Sequence, residues 1–408
     1  MGFPCLGPRR GPARAALALT VAGLLGASLI GNPSAWGEKS SPTKAVGAKG
    51  WHRKAVPFPA DWQSTLAPDT LTSVSCASAR SCMAVGEYHN DFVYAPLIEH
   101  WNGTRWDSMT APAPATARPY HDFYLERVSC PAANWCLAVG NFTVYGSPST
   151  RFPNGVRSYP YAAVYDGVAW EALFTDAFQL NDGTGYLDGI SCPKVERCDA
   201  VASTGSKKHR GGLFRFDGTG WSRLGPVPRT SGVTADLHDL SCANLSHCRA
   251  TPDGPKVATW NGHHWSVKRA GKGKYLDDID CPTAKDCVAV GGTTTGPVGT
   301  STHSELWARR TWHTMPKARD HSRGLDQVSC PTTRSCYTVG GYYRPYVARW
   351  NAASGKWAVA RPKIPAHYYA VRMTALDCPT TKFCMGVGEL DPNSVTRHDG
   401  LTSWTLGG

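Results

Sequence analysis

Val328 to Tyr342 reads VSCPTTRSCYTVGGY, two cysteines with five residues between them and an apolar run ending in glycine after the second. The same arrangement occurs seven times. The pairs are Cys76/Cys82, Cys130/Cys136, Cys192/Cys198, Cys242/Cys248, Cys281/Cys287, Cys330/Cys336 and Cys378/Cys384, all C-x5-C, and together they hold fourteen of the fifteen cysteines. Cys5 is left over. The first cysteines recur about every fifty residues, a period that belongs to solenoids, propellers and arrays.

Around each pair the repeat has fixed parts. An apolar lead such as LTSVSC or LDQVSC enters the first cysteine, and CMAVG, CLAVG or CYTVG opens from the second. After a variable loop come WNGTRW, YDGVAW, FDGTGW, WNGHHW or HDGLTSW. Asn-Gly and Asp-Gly accept the positive φ of a type I′ turn and mark a hairpin. β-Branched and aromatic runs flank these turns, as strands require. Each period therefore holds about four strands and no helical pattern, the content of one propeller blade. The expected fold is all-β: a seven-bladed β-propeller of four-stranded blades, with one disulfide inside each blade. Repeats five and six carry WARRTW and WNAASGKW, a degenerate hairpin. Two segments compete for the outer edge of the closing blade, FPADWQSTLAP with Trp62 and TSWTLGG with Trp404.

The short C-x5-C loop makes each bridge worth roughly 2 kcal/mol by chain entropy. Metal binding is the weaker reading, because C-x5-C is not a zinc spacing and no histidine recurs at a fixed offset. The N-terminus agrees with oxidation. Arg9, Arg10 and Arg14 precede the uncharged stretch AALALTVAGLLGASLI, and small residues surround Ser34 and Ala35. Residues 1–36 are thus expected to be a secretory signal peptide, residues 37–60 a flexible basic linker and residues 61–408 the propeller. The destination is secreted and extracellular, with no membrane insertion after cleavage.

Net charge is +12, about +9 without the signal arginines, so an acidic polysaccharide or glycoconjugate is the expected partner of a chain expected to be a monomer. No stripe of Lys and Arg interleaved with aromatics appears and charged residues are 18%, so nucleic acid is not expected.

The repeat resembles a class of propeller-like proteins secreted by high-GC Gram-positive bacteria, with SCxxxxxCxAVG followed by WNGxxW. The resemblance spans residues from about 62 to 408 and implies architecture, not activity. The [ND]-G-x-x-W turn is also similar to the Asp-box of sialidase-like propellers, which sits between the third and fourth strands. That box carries Ser or Thr two residues before its Asp. Here Val164 precedes Asp166 and Arg215 precedes Asp217, so the turn is read as structural.

In a propeller the first strand lines the channel. Four residues before each first cysteine stand Thr72, Glu126, Asp188, His238, Asp277, Asp326 and Thr374, with Asp239 and Asp278 one position later. This partial acidic ring supplies the catalytic candidates Glu126, Asp188, His238, Asp277 and Asp326, either as paired carboxylates or as a hard-cation site. The alternative is a solvated channel lining. No cofactor is expected beyond a divalent cation such as calcium at that ring. Loops of the same face bring His89, Tyr94, His121, Tyr124, Arg151, Tyr159, Arg210, His321, Tyr342, Tyr343, Arg344, His367, Tyr368 and Tyr369 toward the mouth as ligand-binding candidates. Aromatic rings stack on sugars, and Arg pairs with carboxylate or sulfate. Three functions follow in order: a lectin-like carbohydrate-binding propeller, a carbohydrate-active enzyme (polysaccharide lyase or glycoside hydrolase) at the mouth, and a protein-binding scaffold or a component of a secreted toxin assembly.

Overall fold

The structure, a computed structural model, describes residues 50–62, 69–90, 93–112, 122–146, 155–173, 185–203, 212–226, 237–271, 275–294, 300–318, 324–341, 344–364, 368–392 and 400–407. The segment read as a signal lies outside them. Ala45–Gly408 form one compact unit. Among the described residues no helix is long and apolar enough to cross a membrane.

Seven antiparallel sheets of four strands follow one another along the chain. Blades 1 to 6 span residues 70–109, 122–172, 186–226, 237–269, 275–314 and 325–360, each a plain meander. Blade 7 spans residues 368–406 and takes its outer strand from the other end of the chain: Trp51–Ala55 pairs with Gly400–Leu406. The ring is thereby closed by a strand in the stretch that the sequence assigned to a linker. Neither Trp62 nor Trp404 fills that edge. Trp404 lies on the third strand of blade 7, fully buried, and Trp62 stacks on Phe58 at 4.3 Å outside any strand. The misreading has a simple cause. HDGLTSW has one residue too many between Gly and Trp, and it opens a third strand instead of turning from third to fourth.

Every C-x5-C pair is a disulfide, from Cys76–Cys82 in blade 1 to Cys378–Cys384 in blade 7, joining the first strand of a blade to its second across a tight turn. Two tryptophans face each other across the third and fourth strands in the W-N-G-x-x-W blades, Trp101 with Trp106 and Trp260 with Trp265, and equally in the degenerate hairpins, Trp307 with Trp312 and Trp350 with Trp357, at 5.3–5.8 Å. Such cross-strand aromatic pairs are strong units of sheet stabilisation. The turns differ from the type I′ expectation. Asn102 to Arg105 form a four-residue loop with only Gly103 at positive φ (97°), and the Asn102 side chain accepts from the amides of Thr104 and Arg105 at 3.1 Å. Asp166 and Asp217 do the same in blades 2 and 3. The two-residue turn with both φ positive occurs in blade 5, at Arg309 (52°) and Arg310 (67°), where the glycine is missing.

Two further regularities lock the ring. The residue before each first cysteine reaches into the next blade and accepts that blade's cysteine amide. Ser75 takes Cys130 N, Ser129 takes Cys192 N, Ser191 takes Cys242 N and Ser241 takes Cys281 N, at 2.9–3.1 Å. Asp280 takes Cys330 N at 2.6 Å, Ser329 takes Cys378 N at 3.0 Å, and Asp377 takes Cys76 N at 2.6 Å to complete the circle. Secondly, the first strand shifts register in every blade at the residue four before the cysteine, as between Leu71 and Ser73. The bulge brings the first strand's backbone against the second. A Cβ on Gly86, Gly140 or Gly388 would lie 1.9–2.0 Å from a first-strand carbonyl oxygen, which accounts for the V-G of blades 1, 2 and 7, while blades 3 and 4 place Ala202 and Pro252 at that position.

Candidate functional site

The bulge decides what lines the channel. A bulged residue is unpaired and turned out of the strand's alternation. The seven positions read from sequence are those residues. Thr72 and Thr374 donate their hydroxyls to backbone oxygens of the next blade, Leu125 O at 2.7 Å and Leu71 O, so they serve as stitches. Glu126, Asp188, Asp277 and Asp326 are half-buried, and His238 is exposed with Nε2 2.8 Å from Asp253. Burial pushes Asp188 up to about 6, with Glu126 adding to the shift and His238 opposing it. Burial pushes Asp277 up to about 7, with Asp326 adding and His238 opposing. The five thus form an arc whose members feel one another.

Asp239 and Asp278, one position later, are structural. They are buried and accept the amides of Ile279 at 3.3 Å and Val328 at 2.6 Å in the following blades. Asp199 stands with Cys242 and Cys248, a grouping with metal-ligand composition. The two sulfurs are bonded to each other and the carboxylate is held by Arg215 at 2.7 and 2.8 Å, so no metal is taken there. The cysteines as a whole stand apart from the mouth. Cys198, Cys248 and Cys384 are fully buried, and each packs inside a hydrophobic core. Cys384 sits among Trp51, Val371 and Trp404 in the core of blade 7, bonded to Cys378. These residues are staples of the blades and present nothing to a ligand.

The arc extends at blades 1 and 2 into a denser cluster. Second and third strands of blade 1 bring His89 and Tyr94 together with ring centroids 4.0 Å apart, and Tyr94 lies 5.3 Å from Tyr124 of the neighbouring first strand. Around these rings stand Asp69, Glu87, Asp122 and Glu126. Asp69 accepts Trp62 Nε1 at 2.8 Å and His89 N at 2.7 Å. Asp122 accepts Tyr94 N at 3.1 Å and the Tyr145 hydroxyl. Burial, then the like charges of Glu126, Asp122, Asp69 and Glu389, pushes Glu87 up to about 8. Burial first pushes Tyr94 and Tyr124 up, with Glu87, Asp122 and Asp69 adding for Tyr94 and Asp122 and Glu87 for Tyr124, while the Asp122 bond pushes Tyr145 up to about 12. The cluster joins tilted, adjoining aromatic rings to acidic hydrogen-bonding groups, and its field favours a neutral or positive group.

The remaining predicted residues divide plainly. Tyr159 stacks on Phe142 at 5.2 Å and packs against the core between blades 1 and 2, and Tyr368 is half-buried against the core of blade 7. Arg344 is exposed. His121, Arg151, Arg210, His321, Tyr342, Tyr343 and His367 lie outside the described residues, as does the Tyr369 side chain. Asp69, Glu87 and Asp122 were missed. A signal for Glu87 existed, since AVGEY in blade 1 and GVGEL in blade 7 place Glu87 and Glu389 identically after the glycine.

No protein-family model and no curated protein matches the sequence. Solved structures do. One described as YCF48 bound to D1 peptide is similar with a TM-score of 0.53 and 12% identity, covering 88% of this chain and 97% of its own. YCF48 from Cyanidioschyzon merolae gives 0.50 and 13%, covering 87% and 98%. The Pan2 WD40 domain of Neurospora crassa gives 0.52 and 13%, covering 89% and 98%. At these identities the likeness is one of fold.

Proposed function

We propose that this chain is a secreted, lectin-like binding propeller whose glycan sits at the mouth between blades 1 and 2 and carries hydroxyl and amino groups. One observation carries the reading: half-buried Tyr94 and Tyr124, 5.3 Å apart, form an aromatic shelf backed by the buried His89 ring and edged by Asp69, Glu87, Asp122 and Glu126. Sugar rings stack on such shelves, and carboxylates accept from sugar hydroxyls and pair with an ammonium. The overall basic charge suggests an acidic polymer, yet the described groups at this mouth would repel one, and local charge governs a contact within a Debye length. The same tyrosines speak against lyase chemistry here, because a phenol pushed upward is a poor base at neutral pH. The disulfides fit an oxidising compartment. One structural neighbour is described with a bound peptide, so a polypeptide is the competing ligand, and the carboxylates at this mouth would favour a basic one.

The test is retention of the purified protein on chitosan, chitin and polygalacturonate, with reducing ends followed in parallel. Binding to the amino-bearing or neutral polymers, lost in Tyr94→Ala and weakened in Glu87→Gln, is the expected result. Preference for polygalacturonate, or retention on polylysine alone, overturns the proposal. New reducing ends would move the carboxylate arc into a hydrolytic role.

A further inference from the structure

One repeat position has a constant neighbour. The residue after each second cysteine packs against the disulfide of the following blade. Met83 clusters with Cys130 and Cys136, Leu137 with Cys192 and Cys198, Val288 with Cys330 and Cys336, and Met385 with Cys76 and Cys82. Blades 3 and 4 put charges there instead. Asp199 Oδ2 lies 3.4 Å from Cys248 Sγ. Arg249 Nη1 lies 2.6 Å from Cys287 Sγ and 3.8 Å from Cys281 Sγ.

Arg249 is only 7% exposed. Both its Nη atoms donate to Ala284 O at 3.3 Å, its guanidinium covers the Trp307 ring at 4.6 Å, and its Nε has no acceptor. Among the described residues no carboxylate forms an ion pair with it. The acid that acts on it is Asp286, whose Oδ2 already accepts the Thr283 hydroxyl at 2.7 Å. A buried cation without a counter-ion is costly, and the group best placed to become one is a Cys287 thiolate. A nearby guanidinium stabilises a thiolate, and a better-stabilised thiolate leaves faster in exchange.

Access does not distinguish six of the bridges. In blades 1 to 6 the first cysteine is 6–7% exposed and the second 0–1%. In each, the first cysteine is the less deeply buried of the two and the sulfur an attacking thiolate would meet first, so among these six electrostatics at the leaving sulfur decides. The blade 7 pair is deeper, with Cys378 at 2% and Cys384 at 0%, and is the slowest to be attacked on access alone.

We propose that Cys281–Cys287 is the chain's site of thiol–disulfide exchange, with a dithiol reductant as co-reactant. The reductant's thiolate attacks Cys281 Sγ and forms a mixed disulfide. The Cys281–Cys287 bond breaks, and its electron pair leaves on Cys287 Sγ as a thiolate held against Arg249. The reductant's second thiolate then closes on its own sulfur and releases Cys281, which takes a proton. The reductant ends as a disulfide and the blade as a thiol and a thiolate, with one proton passing to water.

The experiment is graded dithiothreitol treatment of the full folded chain, alkylation of the exposed thiols, then denaturation, full reduction and a second alkylation, read by peptide mass spectrometry. Cys281 and Cys287 are expected to label about tenfold faster than Cys192 and Cys198, whose neighbour is the apolar Leu137. Arg249→Met, which installs the residue that blades 1 and 7 use, should remove that advantage and leave the other six rates unchanged. Arg249→Lys should keep part of it. Equal rates in the unaltered protein, or an advantage that survives Arg249→Met, overturn the proposal. The readout needs no ligand and stands apart from the glycan proposal.

Discussion

Replacing Glu99 by glutamine should stabilise the protein at neutral pH and leave it unchanged in acid. Glu99 lies on the third strand of blade 1, two residues before Trp101, and is fully buried. Its Oε1 accepts the Ser108 hydroxyl, and Oε2 has no partner. Burial pushes this carboxyl from 4.5 up to about 8, with the Ser108 bond opposing and Asp107 adding a little. Below about pH 4.5 both folded and unfolded chains hold the proton, and the group costs nothing. Between there and about 8 the unfolded chain has released its proton while the folded one keeps it, so stability falls with rising pH at about 1.4 kcal/mol per unit. By pH 7 the loss amounts to about 3 kcal/mol. Glutamine keeps an acceptor for Ser108 and cannot ionise. Guanidinium unfolding of both proteins at pH 4 and pH 7, followed by tryptophan fluorescence with the disulfides intact, should show a gain of about 3 kcal/mol for Glu99→Gln at pH 7 only. An equal effect at both pH values, or a loss at pH 7, would refute the electrostatic reasoning. The corresponding residue of blade 5, Glu305, differs in having His303 Nε2 at 2.9 Å and the Thr314 hydroxyl at 2.8 Å.

Two further expectations concern the closure of the ring. Trp51→Ala should cost about 3–5 kcal/mol in the same assay, because Trp51 is buried in the core of blade 7, whereas a residue of a free linker would cost nothing. Asp377→Ala leaves Cys76 N and the Ser329 hydroxyl without their acceptor and should cost about 1–3 kcal/mol, while Asp377→Ser restores the residue found in five other blades and most of the loss; equal stabilities would remove the stitch from the account.

The blade count, the four-strand content and the seven bridges were legible because each rests on contacts within one repeat. The Trp51–Ala55 strand was not. Four of its five residues are exposed, so WHRKA shows no apolar alternation, and its partner lies some 350 residues away. The serine or aspartate before each first cysteine was visible as a regularity, but its acceptor role needs the next blade in place. The site was half legible. The bulged ring could be listed by counting back from cysteine, and His89, Tyr94 and Tyr124 by their loops. What turned them into one cluster was Asp122 and Glu87, whose neighbours come from different blades and whose fields overlap only after folding.

The antiparallel seam that shuts the ring also has a mechanical consequence. Trp51 sits opposite Leu406, and Ala55 opposite Thr402. Tension applied to the chain ahead of Trp51 and beyond Leu406 therefore acts on the same end of the seam. It would peel the paired residues apart one after another, without loading them all at once as shear does. Blade 7 should be the first to yield under such a pull. The short loops closed by disulfides would add almost nothing to the chain's extension, so the released length would come from the segments between one bridge and the next.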